Sequence, residues 1–345
     1  RDSLMTLESY SKYRKERKSE VIAHRKLRSV PLADHINLQF ESEMTIRYQI
    51  QEMLRIEKIF EEEGIEQEIE AYAPLIRLAA TVPSPDARQA LPGESAAEVA
   101  TRAALALETW LDQHHASTAA LIVEPMVQCA AGMAMHDASY LRRARMLCDH
   151  YNVHLVVDEI ATGFGRTGTM FAHQQAGIRP DFICLSKGLT GGTLPLSAVL
   201  TTDAVYGAFY DDRVARGFLH SHSYTGNPLA CRAALATLDH TRALTNNAAL
   251  ANQLTAAFAP LTSHARVQHA RHLGMIWAWD IAGAATDFSR RYHQHALAQG
   301  VLLRPIGRTI YAMPPYVMNE GEVAHLARGA HTALLATLAE EAHHG

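Results

Sequence analysis

The chain has 345 residues, enough for about two domains, with 48% hydrophobic and 20% charged residues and a formal net charge of -4. That balance fits a globular chain and argues against a nucleic-acid partner held by bulk electrostatics. No apolar run is long enough to span a membrane and no signal peptide is evident, so a cytoplasmic setting is expected. The four cysteines, Cys129, Cys148, Cys184 and Cys231, form no C-x-x-C pair and lie in apolar or helical contexts, as free thiols in a reducing compartment would.

The composition shifts near residue 77. Residues 1–76 hold five of the six lysines and two of the 20 histidines. Ser3 to Arg28 reads as a highly charged helix and Val30 to Glu41 as a strand. Thr45 to Glu63 reads as an amphipathic helix carrying Ile46, Ile50, Leu54, Ile56, Ile59 and Phe60. The cluster from Lys12 to Lys18 is mixed with Glu and reads as a solvated face. Residues 77–93, with Pro83, Pro85, Pro92 and Gly93, read as a linker. An α/β rhythm follows. Helices are expected over Ala96 to His114 and Ser139 to Tyr151. Strands are expected over Ala119 to Glu124, Val153 to Val157, Asp181 to Ser186 and Ser197 to Thr201. Such alternation points to a largely parallel sheet. Long helices are expected from Asn227 onward, and strands at Met275 to Ile281 and Val301 to Tyr316 suggest a smaller C-terminal domain.

Lys187 stands out because it is the only lysine after Lys58; every other fixed cation in that region is arginine. A guanidinium stays protonated and makes a poor nucleophile, so a reaction needing a primary amine has one candidate there. Lys187 also ends an apolar run and precedes a Gly-rich turn, where open α/β sheets place ligands. One strand earlier, Val153 to Val157 ends in Asp158-Glu159, ahead of the turn-rich Gly163-Phe164-Gly165-Arg166-Thr167-Gly168. An acid and then an amine on successive strand ends suit pyridoxal phosphate, which needs an amine for a Schiff base and a carboxylate against its ring nitrogen. The run Ser221 to Pro228 offers hydroxyl and N–H donors for the phosphate, or else a plain N-cap turn. The pairs His114-His115, His220 with His222 and His293 with His295 lack a ligand set of known spacing, so no metal is expected.

Four stretches carry a family resemblance: Glu124 to Gln128, Asp158 to Gly168, Ser186 to Ala198, and Arg304 to Tyr316, with Ser221 to Ala230 alongside. Together they resemble the class III aminotransferases among the fold-type I pyridoxal-phosphate enzymes, in one colinear order over about residues 81–345. Within that class they resemble the members of biotin synthesis. The resemblance implies an α/β fold with a parallel-rich sheet in the large domain and a small C-terminal α+β domain. It implies transamination of 8-amino-7-oxononanoate to 7,8-diaminononanoate, with S-adenosylmethionine as amino donor, in a homodimer.

Site roles follow from the same resemblance. Lys187 would carry the cofactor and shuttle a proton, and Asp158 would pair with the pyridine nitrogen. Gln128 and Glu124 would shape the cofactor site. His222 and Ser223 would belong to a phosphate-binding turn that reaches a partner's site. Ser221, Arg166 and Tyr311 would line the substrate pocket, and Arg304 would bind the acceptor's carboxylate. The expected division is a helical module over 1–76, the linker, an incomplete cofactor-binding domain over 94–245 and a small domain over 246–345.

The resemblance also implies a front section that residues 1–76 do not match. They resemble instead the start of a short uncharacterised bacterial family, most clearly over Met44 to Ile65. Reduced stability and weak cofactor retention are expected on that ground. A non-catalytic remnant acting at most as an interaction protein is the alternative reading.

Overall fold

The computed structural model describes residues 7–26, 29–33, 36–39, 48, 50, 51, 54, 65, 80–218, 222–244 and 247–344. Two compact units divide the chain, Arg1–Thr81 and Val82–Gly345. In the first, the charged helix runs Leu7–Lys26, with Tyr10 and Val21 buried along it. The stretch expected as one strand forms two, β1 (Ser29–Ala33) and β2 (Ile36–Gln39), paired antiparallel with Ser29 opposite Gln39. Of the amphipathic stretch Thr45 to Glu63, Tyr48, Ile50, Gln51 and Leu54 are helical, with Ile50 and Leu54 buried. The rest of it lies outside the described residues.

In the second unit the helix Ala96–His114 begins at a capping box. Ser95 Oγ accepts from the Glu98 amide and the Glu98 carboxylate accepts from the Ser95 amide, so two otherwise orphaned N–H groups are satisfied. The helix buries Val99, Ala103, Leu107 and Leu111, one side of a 3.6-residue repeat. It packs with the helix Ala138–Tyr151 on one face of a four-stranded sheet. The sheet contains β3 (Ala120–Val123), β6 (His154–Asp158), β7 (Phe182–Leu185) and β8 (Ala198–Thr201), in that order. The first three are parallel and β8 is antiparallel to β7. Between β3 and β6, the short pair β4 (Val127–Gln128) and β5 (Ala134–Met135) forms a small ribbon.

The strand period of two assigns the faces. Val123, Leu155 and Val157 are buried under the helices, and Leu185 on the same face is buried against Phe164, Leu189 and Ala234. On the opposite face stand Ile122, Val156, Asp158, Cys184 and Val199; Ile122 is 69% and Val199 62% exposed. Asp158 is therefore the polar end of an open apolar row.

Toward the C-terminus, β9 (Val267–Leu273), β10 (Ile276–Ile281) and β11 (Thr309–Ala312) form an antiparallel sheet with β10 in the middle. Every residue of β10 is buried because each face meets a different core. Ile276 and Ala278 join the core under the parallel sheet. Trp277 and Trp279 join a second core with Phe258, Tyr292 and Leu334, from helices that include Phe288–Ala298 and Glu320–His344. Val301 to Tyr316, expected as a strand throughout, is extended only at β11. Pro305, Pro314 and Pro315 lack the N–H a ladder needs, and a turn joins Ile306 to Thr309. No described helix is long and apolar enough to cross a membrane.

Candidate active site

Lys187 opens a short helical turn at the C-terminal end of β7. Its φ is +26°, outside the regions a side chain adopts at ease. Such backbone costs of the order of 1–3 kcal/mol and persists where the surroundings hold it in place, commonly at functional sites. Phe164 supplies part of that hold: its ring lies where a Cβ on Gly188 would have to be, 2.7 Å from Cδ2. The glycine after Lys187 is thus required by packing.

Lys187 lines a cavity of about 640 Å³ together with Cys129, Met133, Phe164, Arg166, Tyr311 and Tyr316, within the usual size of small-molecule sites. Asp158 lies one strand away, its Cα paired with that of Cys184 three residues before Lys187. Its Oδ1 accepts from the Ile160 amide at 3.0 Å, which fixes the carboxylate. Glu124 sits close to both. Burial raises its pKa and the charge of Asp158 raises it further, while the Cys129 amide, which donates to Oε2 at 2.9 Å, and the Lys187 ammonium pull it down. Gln128, on β4, accepts from Ser84 Oγ at 2.5 Å. Burial pushes the Cys129 thiol up to about 12, so it stays neutral beside the cavity.

Arg166 is held from two sides. Nη1 donates to the Pro314 carbonyl at 2.5 Å, and the guanidinium lies 4.6 Å from the centre of the Tyr316 ring. Burial lowers its pKa. Tyr316 in turn donates to the Phe164 carbonyl at 2.7 Å, which ties the C-terminal segment to the loop beside Lys187. Tyr311 lines this cavity and a second one of about 370 Å³, and Arg304 lines only the second. His222 and Ser223 are exposed on the turn before the helix Pro228–Leu244 and do not line the Lys187 cavity. The local work of that turn is capping: Asn227 Oδ1 accepts from the amides of Leu229 and Ala230. Ser221 lies outside the described residues.

Glu159, next to Asp158, was not among the expected site residues. It is fully buried. Its carboxylate accepts from the Ala172 and His173 amides, each at 2.9 Å, and from Thr162 Oγ1 at 3.1 Å, and His173 Nδ1 lies 2.9 Å away. This anchors both sides of the loop that carries Phe164 and Arg166. Two adjacent acids at a strand end are a signal, but only the fold shows that one faces in and one faces the open side. Glu159→Ala leaves two buried amides without an acceptor. The expected cost is about 3 kcal/mol of stability, read by denaturant unfolding; a loss below about 1 kcal/mol would show that the loop is held by other contacts.

An amine at the cavity wall and a fixed carboxylate one strand away fit the ring end of pyridoxal phosphate; Asp158, Glu124 and Gln128 do not themselves line the cavity, and the Gln128 amide oxygen is taken by Ser84. The hydroxyls of Thr237 and Thr241, also at the wall, are spent on helix carbonyls, Ala233 and Thr237 respectively. The donors expected for the phosphate, on the His222–Ser223 turn, are not part of this wall.

Comparison with known proteins decides the family. Residues 61–334 match the family described as aminotransferase class-III. The chain belongs to the class-III aminotransferases. Pyridoxal phosphate is the cofactor that membership implies, and the wall around Lys187 is consistent with its ring. Residues 1–82 match a second family, described as a protein of unknown function (DUF3501). Among similar curated proteins is an adenosylmethionine-8-amino-7-oxononanoate aminotransferase from Helicobacter pylori, 46% identical over 65% of this chain and 53% of its own. Another of the same description, from Nitratidesulfovibrio vulgaris, is 38% identical over 75% of this chain and 51% of its own. The chain thus spans about half the length of the curated relatives it matches. Among solved structures, a PLP-bound amine transaminase from an uncultivated Pseudomonas species superposes with a TM-score of 0.69 at 31% identity, over 74% of this chain and 61% of that one.

Proposed function

We propose that this class-III aminotransferase chain transfers an amino group from S-adenosylmethionine to 8-amino-7-oxononanoate, in a cytoplasmic homodimer. The observation that carries the reading is Lys187, the only lysine after Lys58, held at a strained strand end in a cavity beside Asp158. Substrate identity rests on the two relatives just described, whose names specify it.

Pyridoxal phosphate, when bound, supplies a carbonyl carbon for the exchange of amines and a ring that accepts electrons. The chain's own residues would do the rest. Lys187 Nζ holds and returns a proton at the reacting carbon. Asp158 keeps one oxygen on the Ile160 amide and offers the other to a protonated ring nitrogen. Gln128 and Glu124 bound the ring's surroundings. Arg166 and Tyr311 face the substrate, and Arg304, beyond Tyr311, meets the acceptor's carboxylate with a two-pronged donor set. His222 and Ser223, exposed on their turn, serve the phosphate in a partner's site. Within the second unit, residues 94–245 act as the cofactor-binding domain and 246–345 as the small domain, with β10 contributing to the cores of both.

The test is product formation. The full chain with pyridoxal phosphate, S-adenosylmethionine and 8-amino-7-oxononanoate is expected to yield 7,8-diaminononanoate, detected by mass spectrometry. A folded chain that takes up cofactor but accepts neither compound, while turning over another amine and ketone, would contradict the substrate assignment.

A further inference from the structure

The helix Phe288–Ala298 grips the backbone on both sides of Arg304. Ser289 Oγ donates to the Pro305 carbonyl at 2.7 Å. His293 Nδ1 lies 2.8 Å from the Leu303 carbonyl; a carbonyl only accepts, so Nδ1 carries the proton. Ser289 and His293 are four residues apart and share one face of the helix. Leu303 and Pro305 are buried and Arg304, between them, is exposed, so the guanidinium projects from a backbone pinned at both neighbours. The helix is itself anchored. It buries Phe288, Tyr292 and Ala296, and the Tyr292 hydroxyl donates to the Ala330 carbonyl at 3.0 Å.

Ser289, His293 and Arg304 line the cavity of about 370 Å³ that shares Tyr311 with the Lys187 cavity. Arg290, at the same cavity, is paired with Asp287 at 2.9 Å. Arg304 has no carboxylate partner among the described residues. A long flexible side chain loses freedom when it binds, and a pre-set backbone lowers that cost.

We infer that Ser289 and His293 are positioning residues for Arg304, which they aim so that this cavity selects the carboxylate of an oxo-acid over its uncharged analogues. The inference rests on the reading of Arg304 as the carboxylate contact. It goes beyond that reading in assigning acid selectivity to two residues whose hydrogen bonds go to backbone carbonyls.

The probe is 7-oxononanoate, compared with its methyl ester, in equilibrium binding to the full chain with saturating pyridoxal phosphate. Neither probe carries an amine, so binding is read without turnover. The acid is expected to bind about thirtyfold tighter than the ester, the scale of a charge-assisted hydrogen bond. Arg304→Ala should abolish the preference. Ser289→Ala and His293→Leu should each cut it several-fold with little change in ester affinity, a pattern that general loosening would not produce. His293→Asn, whose amide can still donate to Leu303, should restore it. Equal binding of acid and ester, or binding of neither, sinks the reading of Arg304 and this inference with it. A preference lost in Arg304→Ala but intact in both Ser289→Ala and His293→Leu overturns the positioning claim alone.

Discussion

Lys187→Ala is expected to lower amino transfer by about 10⁴-fold or more, because on the proposed reading it removes both the amine that would carry the cofactor and the base that would move the proton. The fold should survive. Lys187 is exposed, so truncation opens no void, and its strained φ of +26° is carried by the backbone with either residue. Lys187→Arg should fare no better than alanine, because a guanidinium keeps its proton. The measurement is the initial rate of diamine formation, with a thermal melt as the control for folding. A loss of less than about tenfold would place the essential amine elsewhere.

Asp280→Ala should produce the largest loss of stability, about 3–5 kcal/mol. Asp280 is buried near the C-terminal end of β10, the middle strand of its sheet. Its Oδ1 accepts from Arg271 at 2.9 Å and Thr309 at 2.8 Å, and its Oδ2 from Arg88 at 3.3 Å. Removing it strands Arg271, which burial has already desolvated, and takes from Arg88 the more distant of its two carboxylates, Asp86 remaining at 2.8 Å. Both also hold the loop beside the site: Arg271 donates to the Gly132 and Met133 carbonyls, and Arg88 to that of Ala131. Met133 and Cys129 of this stretch line the Lys187 cavity, so the variant should also weaken cofactor uptake.

The pH dependence of this cluster has a definite sign. Burial alone would raise the Asp280 pKa, but Thr309, Arg271 and Arg88 outweigh it and hold the value below the ordinary carboxylate range. Arg271, by contrast, is pushed down by burial despite its pairing, whereas three donors converge on the two oxygens of Asp280. A depressed folded-state pKa means that the stabilisation is present above the unfolded-state value, about 4, and is lost as pH falls through the folded value. Denaturant unfolding at neutral pH should therefore separate wild type from Asp280→Ala widely, and the gap should narrow in acid. A gap that widened on acidification would contradict this.

The parts of the fold legible in the sequence are those where one physical rule acts alone. The apolar runs into Asp158 and Lys187 are short, buried on one face and end in polar residues, and they form β6 and β7 within a residue of the expected bounds. Trp277 and Trp279 alternate along a strand, a spacing that suggests core or interface packing, and both are buried in the second core. Legibility fails where two rules compete. Val301 to Tyr316 has a strand-like composition, but its prolines confine the ladder to Thr309–Ala312. Asp158 and Glu159 read alike in the sequence as an acid pair past a strand end, and Glu159 is a buried anchor, a distinction set by which way the strand end turns. The separation of Arg304 from Lys187 into two cavities that share Tyr311 has no counterpart in spacing along the chain. Neither does the grip of Ser289 and His293 on the carbonyls beside Arg304, because these bonds join residues 10 to 16 positions apart and, unlike a helix cap, follow no local spacing rule.

Borohydride reduction of the full chain with pyridoxal phosphate, followed by peptide mass spectrometry, tests the assignment of Lys187 most directly. The cofactor's mass is expected to be fixed on the peptide that contains Lys187 and on no other. A label confined to lysines of the first unit, such as Lys12 or Lys18, or a folded chain that takes up no label, would contradict it.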